Sequence, residues 1–146
     1  MAKNTQQVKG LWAIILGGSS GFGFASVEKL AKHGMNIAVL YRETAQVEKV
    51  LLTNLEKAAA ENNVEILPYN FNALDEEGRT KFIQQFSKSV NERKCVRLLL
   101  HSIARGNLKP LINESRETEN VLSAGDIQLT TYAMATSLLD WTRLLL

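Results

Sequence analysis

The sequence holds one cysteine, Cys95, so no disulfide can close within the chain, and nothing around that residue marks an activated thiolate. The opening residues, MAKNTQQVKG, lack the apolar core of a signal peptide. No apolar run reaches the roughly 18 residues that would cross a bilayer. A reducing cytoplasm is therefore the expected compartment, with no membrane partner. Neither sign of charge dominates: 17 basic residues against 15 acidic ones leave a formal net charge of +2, which gives no reason to invoke nucleic acid. The chain has no internal repeat, low-complexity segment or second-domain linker, and no metal site is expected.

What is present is an alternation. At 146 residues the chain can bury a core as one domain. Four apolar runs rich in Val, Ile and Leu read as strands: LWAIIL (11–16), NIAVLY (36–41), VEILPYNF (64–71) and VRLLLHSIA (96–104). Apolar on both faces, they suit strands covered by helices on both sides. Between them run helical periods, each on one face. Val27, Leu30 and Ala31 mark the first; Val47, Val50, Leu51, Leu55 and Ala58 the second; Phe82, Ile83, Phe86 and Val90 the third. Gly34 is placed to stop the first helix and Asp75 to cap the third. A last periodic stretch covers about 127–146. The connection between Ala104 and Asp126 has no period, and one so long inside an α/β domain is ordinarily functional or mobile.

The first strand leads directly into Gly17-Gly18-Ser19-Ser20-Gly21-Phe22-Gly23 and then a helix. A strand, a glycine turn and a helix N-terminus place free amides at the positive end of a helix dipole, which seats a phosphate or pyrophosphate. Gly17 is expected to make the tight turn, Gly21 to admit the ligand, and Gly23 to allow close helix–strand packing, with the Ser19 and Ser20 hydroxyls as further donors. The spacing lacks the Lys-Ser/Thr pair of a nucleoside triphosphate loop. Arg42, at the end of the second strand, leans toward a ribose 2′-phosphate and hence NADP(H), while the neighbouring Glu43 weakens that reading. The expected fold is α/β, a Rossmann-like doubly wound parallel sheet of four strands with intervening helices, and residues 1–146 form the N-terminal, dinucleotide-binding part of a single domain.

GGSSGFG after WAIIL, Asn72-Ala73 after the third strand and His101-Ser102-Ile103-Ala104 after the fourth together resemble the short-chain dehydrogenase/reductase family. Leu16 stands where that family's T-G-x-x-x-G-x-G motif has threonine. The resemblance implies that Asn72 and Ala73 lie by the adenine ring and that His101, Ser102, Ile103 and Ala104 lie near the cofactor. His101 is given no catalytic role, since a histidine at a strand end is ordinarily structural. The HSIA ending, with LLLHSIARGNLKPL and TTYAMATSLL, resembles the divergent branch of enoyl-acyl-carrier-protein reductases. That branch implies fatty acid biosynthesis, with an acyl-carrier-protein or CoA thioester as substrate. A ketone/alcohol oxidoreductase of the same family and a non-catalytic nucleotide-binding regulatory protein are the alternatives.

The family implies a catalytic tyrosine followed about four residues later by lysine. Here Tyr41 is followed at that spacing by Ala45, Tyr69 by Ala73 and Tyr132 by Thr136, so no catalytic residue is assigned. The chain is read as ending before a fifth strand and as inactive by itself. Its last helix, with Met134, Leu138, Leu139 and Trp141, is a candidate homo-oligomer contact.

Overall fold

The computed structural model describes residues 8–90, 96–112 and 120–146. Cys95 and the middle of the long connection lie outside them. The chain divides into two compact units between Ser102 and Ile103.

The first unit is built as β1 (Trp12–Leu16), α1 (Gly21–Lys32), β2 (Asn36–Tyr41), α2 (Ala45–Asn62), β3 (Ile66–Asn70), α3 (Glu76–Ser89) and β4 (Val96–His101). The strands form one parallel sheet in the order β3-β2-β1-β4. Such a sheet needs helical crossovers on its faces, and the alternation of side chains along each strand sorts the core into two layers. On one face Ile15, Ile37, Val39 and Tyr41 pack with Val27 and Ala31 of α1 and Leu51 and Leu55 of α2. A second set is aromatic. The Trp12 ring meets Phe86 of α3 edge-on at 5.4 Å, Tyr69 meets Phe82 at 5.0 Å, and Phe82 and Phe86 stack at 5.1 Å.

β1 and the core of β2 are buried on both faces, whereas β3 and β4 are only partly covered. Each of the latter has a described neighbour on one side alone, so the expectation of two covered faces holds for the inner pair. Pro68 sits in β3, where a residue without an amide hydrogen is tolerated because the strand is an edge.

Several expected boundaries shift for identifiable reasons. β3 begins at Ile66 because the Val64 amide closes α2, donating to the Ala59 carbonyl beyond the left-handed Asn63 (φ 52°). β4 ends at His101, one residue before the Ser102 amide makes a last bond to the Leu16 carbonyl at 2.8 Å. Past that point β1 has turned away and offers no ladder, so Ile103 and Ala104 are not strand. Val90 caps α3 in an extended conformation and is not part of the helical face. Val47 and Val50, expected in the core, are 48% and 63% exposed. The inward position at that end of α2 belongs to Glu48, whose carboxylate accepts the Tyr41 hydroxyl at 2.8 Å, and the buried stripe continues through Leu51, Leu55 and Ala58.

The second unit holds α4 (Ala124–Thr131), a π-helical turn (Tyr132–Thr136) and α5 (Ser137–Leu145). The helix starts three residues before the expected 127 because Ser123 and Asp126 form a capping box. Ala133, Ser137 and Trp141, four residues apart, form its solvent-excluded stripe. No helix among the described residues is long and apolar enough to cross a membrane.

Candidate functional site

The carboxyl ends of the parallel strands form the edge at which α/β folds hold ligands. Here the chain leaves β1 through Gly17, whose φ of 80° is left-handed. The Gly17 and Gly18 amides both donate to the Leu40 carbonyl of β2, at 2.9 and 3.0 Å, which anchors the start of the turn. Ser20 is the N-cap of α1 without a side-chain cap bond, and Gly21 again has a left-handed φ, 53°. A Cβ on Gly21 would meet nothing within 4 Å, while one on Gly23 would overlap the Gly17 carbonyl oxygen. Gly21 therefore faces open space and Gly23 permits the helix to start against the turn. Among the described residues, no acceptor takes the amides of Ser20, Gly21, Phe22 or Gly23. Phe22 stands 90% exposed beside them.

The end of β2 closes one side. Arg42 is exposed, while Glu43 is fixed from two directions. Its carboxylate accepts the Ser19 hydroxyl at 2.8 Å, its amide donates to the Asn70 side-chain oxygen at 3.1 Å, and its carbonyl accepts the Asn70 side-chain amide at 3.0 Å. Tyr41 beside them is held far above the usual phenol range by burial, reinforced by the Glu48 carboxylate that accepts its hydrogen bond. A cavity of about 450 Å³ opens next to Ser19, walled by Phe24, Val47, Val50 and Leu51.

The Asn72 side chain is engaged in the turn before α3: its amide donates to Asp75 at 2.6 Å and its oxygen accepts from the Leu74 amide at 3.3 Å. Asp75 in turn accepts the Gly78 amide at 2.6 Å, as the sequence led one to expect of an N-cap. Ala73 is buried at the same turn. His101 lies in register with Leu16, the residue before the glycine turn, and burial lowers its basicity. His101 and Ser102 thus flank the turn, whereas Ile103 and Ala104 open the second unit.

Two arrangements were not foreseen from the sequence. One is the Ser19–Glu43–Asn70 chain, whose members are 24 and 27 residues apart and carry no spacing signal. The other lies in the second unit. Asp126 accepts from the Ser123 amide and hydroxyl at 2.9 and 2.8 Å, from Lys109 at 3.1 Å and from the Asn107 side chain. The Leu122 amide also donates to the Pro110 carbonyl at 2.8 Å, so residues 107–110 are tied to the start of α4. The Ser123 amide, followed by the Ser123 hydroxyl and Lys109, holds the Asp126 carboxyl well below the usual range. The Ser-x-x-Asp spacing of the capping box is the one sequence signal that could have found part of this arrangement, and the expected helix start at about 127 passed over it. No cluster of metal-binding side chains occurs among the described residues.

A parallel sheet ordered β3-β2-β1-β4, with a glycine turn leading from β1 into α1, defines a Rossmann-like fold. The short chain dehydrogenase family model matches residues 11–137, and the chain belongs to that family. The NADPH-dependent 3-quinuclidinone reductase of Rhodotorula rubra superposes with a TM-score of 0.74 at 20% identity over 98% of this chain and 50% of its own. L-sorbose reductase of Gluconobacter frateurii, solved with NADPH and L-sorbose, gives 0.69 at 18% identity over 94% of this chain and 47% of its own. A very-long-chain 3-oxoacyl-CoA reductase-like protein of Arabidopsis thaliana is 30% identical over 64 residues, 44% of this chain and 20% of that protein. The chain spans about half the length of the solved structures it matches.

Proposed function

We propose that residues 1–146 are the N-terminal, dinucleotide-binding part of a single Rossmann-type domain in an NADP(H)-dependent oxidoreductase that reduces an enoyl thioester. The observation that carries the dinucleotide reading is the turn itself. Gly17 reverses the chain, Gly21 leaves open space, and Gly23 brings the α1 amides to the carboxyl edge of the sheet. These residues fit a pyrophosphate, because the amides of Gly21, Phe22 and Gly23 lack acceptors and stand at the positive end of α1. A bound nicotinamide cofactor supplies the hydride.

The chain's own contribution is binding and orientation. The glycine turn takes the pyrophosphate, and Arg42 offers paired donors to a ribose 2′-phosphate. Asn72 and Ala73 flank the adenine, and His101, Ser102, Ile103 and Ala104 lie near the cofactor. Proton donation falls to residues beyond those assigned here, since none of the three tyrosines is followed four residues later by lysine. The enoyl branch rests on the HSIA ending and on the long connection that follows it. The exposed Met134, Leu138 and Leu139 support a homo-oligomer through the last helix.

A second reading, reduction of a ketone, is favoured by the names of the similar proteins: a 3-oxoacyl-CoA reductase-like protein and an L-sorbose reductase. Fluorescence titration tests the cofactor, with NADPH expected to bind more tightly than NADH; equal affinity removes the Arg42 argument. Assay of the complete protein with a crotonyl thioester and a 3-oxoacyl thioester separates the substrates. Turnover of the 3-oxo compound alone selects the second reading.

A further inference from the structure

We infer that Glu43 and Asn70 are positioning residues for the glycine turn, holding Ser19, and with it the middle of the turn, in place before any ligand arrives. The inference rests on the dinucleotide reading above. The two ends of the turn have their own restraints: Gly17 and Gly18 hang from the Leu40 carbonyl, and Gly23 is wedged against Gly17. Between them the backbone has little to hold it. Gly21 is left-handed with open space around it, and Ser20 caps the helix without a side-chain bond.

Among the described residues, the side-chain tie from this middle stretch to the sheet edge is the Ser19 hydroxyl, which donates to Glu43 at 2.8 Å. Glu43 lies in the link between β2 and α2, and a carboxylate on a free link would give Ser19 no fixed anchor. The Asn70 side chain removes that freedom by bonding both the amide and the carbonyl of Glu43, at 3.1 and 3.0 Å, from the last residue of β3. The order set in the sheet by β3 thus passes through the link after β2 to the turn after β1, by way of the Asn70 side chain on the Glu43 backbone and the Glu43 side chain on Ser19. A hydroxyl can donate one hydrogen bond, and that of Ser19 goes to Glu43. Ser19 then shapes the phosphate seat through the place of its backbone amide.

Asn70 is exposed and Ser19 and Glu43 are half-buried, so losing these bonds has little effect on global stability but frees a loop. This separates positioning from folding. Amide hydrogen exchange at residues 19–23, NADPH affinity and thermal midpoint are measured for the wild-type chain and for Ser19→Ala, Glu43→Ala, Glu43→Gln, Asn70→Ala and the double variant Ser19→Ala/Glu43→Ala. Glu43→Ala and Asn70→Ala are expected to speed exchange at the turn and to weaken NADPH about tenfold, the size of one hydrogen bond, with the midpoint nearly unmoved. The double variant binds no more weakly than Glu43→Ala, because both changes break the same bond. Glu43→Gln, whose amide oxygen still accepts from Ser19, keeps slow exchange and stays within about threefold of wild type.

Three results overturn the inference. One is unchanged exchange with NADPH bound as well as or better than wild type in Glu43→Ala, which makes Glu43 a repellent of the ribose phosphate instead. Another is additive losses in the double variant. The third is a Glu43→Gln variant as impaired as Glu43→Ala, which assigns the effect to charge. If the wild-type chain binds no NADPH, the dinucleotide reading fails, and the exchange rates alone still decide whether Glu43 and Asn70 hold the turn.

Discussion

Gly23 faces the carbonyl oxygen of Gly17 so closely that no side chain of any size fits between them. The first turn of α1 is therefore packed onto the backbone of the loop that precedes it. A Gly23→Ala change must push the helix or the turn out of place. It is expected to destabilise the fold by about 1–3 kcal/mol, read by urea denaturation, and to abolish NADPH binding even where the variant remains folded.

Arg42 tests the cofactor reading without touching the core, because its side chain is exposed. Arg42→Ala is expected to weaken NADPH about tenfold to a hundredfold, the loss of one or two charge-assisted hydrogen bonds, and to leave NADH unaffected. Paired titrations check this, and an equal loss for both cofactors argues that Arg42 serves the turn rather than the ribose phosphate.

Legibility from sequence was uneven in an instructive way. The order of elements, the glycine turn and the Asp75 cap could be read because each depends on neighbours within a few residues. Val47 and Val50 misled because apolar periodicity marks a face without saying which residue wins the inward position. That was decided by Glu48, drawn inward by the Tyr41 hydroxyl seven residues away. The ties of Glu43 to Ser19 and Asn70, and of Asp126 to Lys109, join residues 17 to 27 positions apart, and no local pattern announces them.

The turn before α3 offers a contrast between a lost bond and a lost space. Asp75→Ala removes the acceptor for the Gly78 amide and is expected to cost about 1 kcal/mol. Gly78→Ala places a methyl group onto the Asn72 carbonyl and is expected to cost more, about 1–3 kcal/mol. Thermal melts of the two variants rank them.

Acid is expected to loosen the second unit through Asp126. Its carboxyl is held below the usual range in the folded state, chiefly by the Ser123 amide, so the unfolded chain binds a proton first as pH falls. The stabilisation is complete above the ordinary carboxylate range near pH 4 and is lost as pH drops through the depressed folded value. Far-ultraviolet circular dichroism between pH 6 and about pH 2 checks this, and Asp126→Asn is expected to flatten the slope.

Pro68 gives the sheet a direction of growth. A residue with no amide hydrogen in the middle of β3 leaves a gap in the outer row of donors, so that margin makes a poor template for another strand. At the opposite margin, VRLLLH of β4 contains no proline and keeps its full row of backbone groups. Any strand added to this sheet, from the same polypeptide or a different one, is steered to the β4 side, so one imino acid makes an otherwise two-ended ribbon extensible from a single end.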